Sequence, residues 1–229
     1  MNKFVKVLIT LSALLCVGCT TDADDDDFDA GKVCPAEGVN AYGMPNRGTF
    51  IDERDGREYK YTTIGNRMWM AENLNYDCDY GYCYEVDSIP NFCENYGRMY
   101  NLYKEGKHDG LMDWNKVDSI CPKGWHVPTQ EEWAEMVDLL GAGSTRFFDV
   151  SFSPQVVTPD DVCSLSVLSA GVVYYNYRLE EVHRSAAFWT STQRNVSCAY
   201  SANFAVNSNG VAYFFSALPR QSIRCIKDN

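Results

Sequence analysis

The sequence predicts an α+β fold, on three observations. Helical periodicity is confined to two stretches before residue 142. Short β-type runs dominate after residue 160, and long irregular connections lie between them. In chain order, 49–52, 58–64 and 67–70 read as strands, separated by Asp55-Gly56 and Gly65-Asn66. Both dipeptides accept positive φ and so make hairpin turns. Residues 94–105 (ENYGRMYNLYKE) carry Tyr96, Met99, Tyr100 and Tyr103 at helical spacing, interrupted by Gly97. The clearest helix follows Thr129. That residue and Glu132 form a capping box, in which each side chain satisfies the other's orphan backbone amide. Trp133, Met136, Val137 and Leu140 make its apolar face, and Gly141 can end it in the left-handed conformation. Thereafter 164–173, 186–192, 199–206, 211–217 and 222–227 read as strands, with "NSNG" at 207–210 as a hairpin turn.

The first 47 residues have a different character. Lys3 and Lys6 precede an apolar stretch from Val7 to Leu15. A membrane-spanning helix needs about 20 apolar residues, so this one reads as the core of a signal peptide, residues 1–18. Gly18-Cys19 at its end resembles the lipobox of bacterial lipoproteins, although Cys16 stands where leucine is usual. By that resemblance Cys19 becomes the lipid-modified N-terminus and membrane anchor. Asp22, Asp24 to Asp27 and Asp29 follow, too repulsive and too poor in apolar surface to fold, and 19–47 reads as an acidic tether and pre-domain segment. A calcium loop would need a glycine-turned frame and a distal glutamate, which are missing. An acidic run directly after a lipidated cysteine also resembles the surface-export signal of lipoproteins in the Bacteroidota. The expected location is therefore the outer membrane or cell surface, lipid-anchored.

Charge and cysteine usage narrow the classes further. The 229-residue chain carries a formal net charge of −11, which argues against nucleic acid, whose phosphates require clustered Lys and Arg. Residues 48–229 suffice for one well-buried domain. Of ten cysteines, eight lie beyond the anchor: Cys34, Cys78, Cys83, Cys93, Cys121, Cys163, Cys198 and Cys225. In an exported chain an even number reads as a disulfide framework. None of the eight forms a C-x-x-C pair and the three histidines are scattered, so neither a metal nor another cofactor is expected. Cys83 and Cys93 enclose a short loop of polar and turn residues and form the most plausible local pair.

Five stretches together carry a family resemblance: "GNRMWMAENLNY" (65–76), "CENYGRMYN" (93–101), "CPKGWHVPTQEEW" (121–133), "AFWTSTQ" (187–193) and "SIRCIKD" (222–228). In this order they resemble the Fibrobacter succinogenes major paralogous domain, found in exported bacterial proteins, over most of residues 48–228. "VPTQEEW" is also similar to a signature of sulfatase-modifying-factor domains. The resemblance implies a C-type-lectin-like fold with two helices, short antiparallel strands and long loops. It also implies a cystine between Cys121 and Cys225. Cys163 with Cys198, and Cys34 with Cys78, are the pairs then left.

Two functional classes remain. One is a non-catalytic binding module for a polysaccharide or protein partner, presented from the membrane by the anchor. Tyr174, Tyr175 and Tyr177 of "VVYYNYRLE" are its candidate platform, since aromatic faces serve sugar rings and protein partners alike. Tyrosines packing a loop-rich core is the competing reading. The other class is an envelope enzyme related to the formylglycine-generating oxidases. It would need a reactive cysteine pair, for which Cys198 and Cys225 are available near the C-terminus. Calcium-dependent sugar binding in this fold uses carboxylate-Pro-Asn and Trp-Asn-Asp triplets. Residues 89–91 (IPN) and 158–161 (TPDD) lack the ligating side chain, and 113–115 (DWN) stands out of order. His126 reads as a structural residue before the helix, and Trp125, Trp133 and Trp189 as core. The binding module is the expected function, with no catalytic residue.

Overall fold

A computed structural model describes residues 28–86, 89–104, 111–141, 161–205, 211–216 and 218–229. In chain order the elements are α1 (Ala30–Val33), β1 (Arg47–Ile51), β2 (Glu58–Ile64), β3 (Arg67–Met70), β4 (Gly81–Tyr82), α2 (Phe92–Tyr96), β5 (Met99–Tyr100) and α3 (Trp114–Ser119). Then come β6 (Trp125–His126), α4 (Gln130–Leu140), β7 (Val172–Val173), β8 (Leu179–Glu180), β9 (Ser185–Asn195), β10 (Cys198–Ala205), β11 (Val211–Ser216) and β12 (Ile226–Lys227). The domain is mixed α+β, with few helices, short antiparallel strands and three disulfides.

Its five-stranded sheet runs β1-β2-β3-β12-β6, antiparallel at every pairing. Period-two alternation along β3 explains why both faces are buried. Met68 and Met70 enter one core with Tyr59, Tyr61, Trp125 and Trp189, while Trp69 enters another with Trp133, Phe188 and Phe204. Helix α4 covers the second face. Its capping box is formed as expected, and Trp133 packs 4.9 Å from Trp69 and 5.2 Å from Phe188, ring centre to ring centre. A second, three-stranded sheet runs β11-β10-β9.

The last residues join these layers. Ser222 exchanges backbone hydrogen bonds with Ala187 and Trp189 at the edge of β9. Cys225 and Ile223 accept from Met70 and Leu74, and β12 lies between β3 and β6. Ser222 thus bonds to the second sheet, and Ile223 and Cys225 to β3 and the residues that follow it. That is why the expected strand over 222–227 is reduced to Ile226–Lys227.

Other expectations change for equally local reasons. The helix expected over 94–105 ends at Tyr96, because Gly97 sits at φ 76° and hands the chain to β5, which pairs with β4. A Cβ on Gly97 would stand 2.8 Å from the Asn73 Cβ and the Leu74 carbonyl oxygen. The strand expected over 164–173 survives only as Val172–Val173. Ser164 and Ser166 lie at φ 53°, where Asp161 gathers the N–H groups of Leu165 and Ser166 on its carboxylate. The turn expected at 207–210 lies outside the described residues. Helix α3 has no counterpart in the sequence reading.

The body also begins earlier than residue 48. Asp29, the last aspartate of the acidic run, caps α1 through the Gly31 N–H, and Phe28, Ala30 and Val33 pack against the Trp133 core. Cys34 is bonded to Cys163, not to Cys78. Both residues border the Trp133 core, and Arg47 ties their loops together through the carbonyls of Cys34 and Val162 and the Ser164 hydroxyl. Cys78 instead packs against the core on the other side of the sheet, out of reach of Cys34. The other bonds are Cys83–Cys93 and Cys121–Cys225. Thus neither Cys34–Cys78 nor Cys163–Cys198 forms, and Cys78 and Cys198 are the free cysteines among the described residues.

Candidate functional site

The tyrosines of 174–177 do not make one platform. They sit on the tight hairpin joining β7 to β8, where Tyr177 adopts φ 59° and its N–H closes onto the Tyr174 carbonyl at 2.8 Å. The reversal sends the three rings to different neighbours. The Tyr174 hydroxyl donates to Glu181 at 2.8 Å, and this bond to a carboxylate raises its pKa. Tyr175 is 56% exposed and lies toward Cys198. Tyr177 alone joins a cluster.

That cluster is built on Arg220, which forms a bridge with Val173 next to the hairpin. The guanidinium carbon lies 3.3 Å from the centre of the Tyr82 ring and 4.8 Å from that of Tyr177. Nη1 donates to the Tyr84 hydroxyl at 2.7 Å. A cation stacked on aromatic faces contributes about 0.5–1 kcal/mol at exposed sites and about 2 when desolvated. Burial pushes the Tyr84 pKa up, and the Arg220 hydrogen bond opposes it. Strand β4 supplies Tyr82, and the disulfide from Cys83 to Cys93 holds the next turn against α2. Tyr84, Glu85, Val86, Tyr177, Arg178 and Leu179 line an open surface groove beside the cluster, and Tyr84 also borders a second groove along residues 83–92. The arrangement offers aromatic faces, aliphatic side chains and cations on a pre-organised surface.

Sequence reasoning missed Tyr82, Tyr84 and Arg220. A signal for the first two exists: in "YGYCYEV" tyrosines recur every second residue around Cys83, placing 80, 82 and 84 on one face of an extended strand. Arg220 has no comparable signal, being 136 residues or more from its partners in β4 and the next turn, and brought there only by the returning C-terminus.

His126 is a clamp. Its Nδ1 lies 2.7 Å from Asp228 and its Nε2 3.1 Å from Glu132, which also closes the α4 capping box and stands 3.5 Å from Arg67. The hydrogen bond to Glu132 and then that to Asp228 raise the His126 pKa against the opposing effect of burial. Glu132 is held below the usual range by His126, Thr129 and Arg67, although burial works against this. The three charges tie the start of α4 to the C-terminus.

Of the sequence triplets, Asn91 stands in the left-handed region before α2, and Asp161 serves the backbone turn at 164–166. Among the described residues no three His, Cys, Asp or Glu side chains are grouped to hold a metal ion, and no helix is long and apolar enough to cross a membrane. Cys19 lies outside the described residues. Cys225, half of the cysteine pair that the oxidase alternative would need, is bonded to Cys121 as the family resemblance implies.

The Fibrobacter succinogenes major domain is matched over residues 62–227. The chain belongs to that family. All four members of the tyrosine–arginine cluster fall inside the matched segment, as do Cys83–Cys93 and Cys121–Cys225. Cys34 lies outside, so the Cys34–Cys163 bridge fastens a segment preceding the family domain onto it. No curated protein and no solved structure matches the chain.

Proposed function

We propose that this member of the family is a lipid-anchored, non-catalytic binding module of the cell envelope or cell surface, attached through Cys19 and taking a polysaccharide or a protein partner. In this reading the domain has a C-type-lectin-like architecture, with its two ends drawn together and its long loops presenting the ligand surface. The observation that carries it is the Tyr82–Tyr84–Tyr177 cluster locked by Arg220 beside an open groove. Rings already held in place lose little rotamer entropy on binding, which is what makes aromatic surfaces efficient contact points. The oxidase alternative loses support from Cys225, whose sulfur is engaged with Cys121. The test is binding of the folded protein to envelope polysaccharide preparations and to whole envelopes. Tyr84→Ala with Tyr177→Ala should abolish saturable binding while leaving the circular dichroism unchanged. Binding that survives the double substitution refutes this surface as the site.

A further inference from the structure

The arginines of this domain are not all alike. Arg54, Arg57, Arg67 and Arg98 each face a carboxylate, of Asp52, Glu94, Glu132 and Asp77 in turn, at 2.6–3.5 Å. Arg47 and Arg224 donate to backbone carbonyls and side-chain oxygens. Arg220 faces no carboxylate among the described residues, in a chain of net charge −11. Its hydrogen bond goes to the neutral Tyr84 hydroxyl, and its Nε is buried without an acceptor. The Tyr82 and Tyr177 rings hold the guanidinium without neutralising it. Arg178, exposed beside Tyr177 on the β7–β8 hairpin, has no ion pair among the described residues either.

Both charges belong to one groove. It holds about 420 Å³, within the range of about 300–1,000 Å³ typical of ligand sites, and is lined by Tyr84, Glu85, Tyr177 and Arg178 among others. Arg220 touches two of these walls, Tyr84 and Tyr177. Tyr84 accepts from Arg220 and keeps its own proton, which has no acceptor among the described residues. Donors therefore predominate over the one lining carboxylate, Glu85. Other carboxylates of the hairpin are engaged: Glu181 accepts from Tyr174 and Ser185, and Glu180 from Asn176.

Unpaired guanidiniums beside a free hydroxyl donor are complementary to an anion with several oxygens, and the guanidinium fork matches a carboxylate. We propose that this groove takes an acidic polysaccharide, whose uronic acid carboxylates are met by Arg220 with the Tyr84 O–H and by Arg178. Val86 and Leu179 give the sugar C–H faces an apolar wall. A neutral sugar would leave both charges unpaired. An acidic peptide brings an N–H donor with every residue, and the lining offers only Glu85 to meet them. The inference rests on the polysaccharide form of the proposed function and names the class of polysaccharide.

The test titrates the full chain with tetragalacturonate, tetramannuronate and tetraglucuronate. Galactotetraose, mannotetraose and cellotetraose serve as neutral counterparts, and tetraglutamate as the acidic peptide. Affinity is measured by calorimetry, and the Arg220 Nε–H resonance is followed by NMR. At least one uronate should move that resonance saturably and bind about tenfold tighter than its neutral counterpart. Raising the ionic strength from about 0.05 to about 0.5 M should weaken this binding about tenfold. Arg178→Gln should weaken it about threefold, with the circular dichroism unchanged because the side chain is exposed. The Arg220 readout needs no substitution, so it stands even if a variant folds poorly. Neutral counterparts that bind as tightly, with loss in Tyr84→Ala with Tyr177→Ala, overturn the acidic class and leave the tyrosine surface intact. Binding of tetraglutamate alone overturns the inference and assigns the groove to an acidic protein. No binding by any probe also overturns it, and binding of the protein to whole envelopes then decides separately whether the broader reading stands.

Discussion

Two regions of this domain are built on opposite terms. Where α4 meets the C-terminus, Trp133 is fully buried among rings, Glu132 serves three partners and His126 is clamped on both nitrogens. Where β4, α2 and the β7–β8 hairpin meet, the ladders are two residues long, and Asn91, Tyr177, Glu181 and His183 all stand at positive φ. The first region draws its order from packing and a continuous sheet. The second draws it from point fastenings: one disulfide, one arginine and a few turns. Functional surfaces belong in regions of the second kind, because loops on a rigid scaffold can expose rings without exposing the core.

The largest way to break the contrast is to remove the fastening of the first region. Cys121→Ala with Cys225→Ala opens a loop of 104 residues, worth about 4–5 kcal/mol in the chain-entropy model. We expect thermal unfolding of this variant to begin near room temperature. Cys83→Ala with Cys93→Ala opens a separation of only 10, about 3 kcal/mol on the same scale. It should lower Tm less, yet abolish binding at the tyrosine groove, because it frees the turn that carries Tyr84. Equal loss of stability from both pairs would erase the distinction between the regions.

Smaller effects sharpen it. Thr129→Ala removes the hydroxyl that accepts from the Glu132 N–H and should cost about 1 kcal/mol, a Tm decrease of about 2–4 °C. His126→Gln tests the clamp through pH. Because the His126 pKa is raised in the folded state, its contribution is full below about pH 6.5 and fades as pH rises through the raised value. Because that of Glu132 is lowered, its contribution is present above about pH 4.5 and fades as pH falls through the lowered value. The Tm difference between wild type and His126→Gln should therefore be widest near pH 5–6 and shrink toward pH 9. A difference that is flat across that range would mean the imidazole acts by packing alone. Smallest of all, Tyr175→Ala should change stability by under about 0.5 kcal/mol, since its ring is mostly in water.

Much of the first region was legible in the residues. The capping box, the apolar face of α4, the β2–β3 hairpin and the Cys121–Cys225 pair implied by family resemblance all follow from short-range pattern or motif. The second region was legible only in part. The tyrosine-rich hairpin stood out, but its turn sends Tyr174 to Glu181 and Tyr175 toward Cys198, leaving Tyr177 alone for the cluster. The pairing of the remaining cysteines failed for a related reason. Nothing in the order of Cys34, Cys78, Cys163 and Cys198 records that Cys34 and Cys163 border one core while Cys78 borders the other.

By itself, then, the sequence determined what is encoded within one turn of helix, one hairpin or one family motif: the α+β class, the capped helix, the acidic and cysteine-rich character, and membership of the family. Tertiary structure alone decided the partners of long sequence separation. It brought Arg220 to Tyr82 and Tyr84, and Cys34 to Cys163. The physical reason lies in the returning C-terminal segment. Its backbone groups are satisfied in turn by β5, by β9 and by β3 with the residues that follow it, so its position depends on the completed fold rather than on any preference of its own residues.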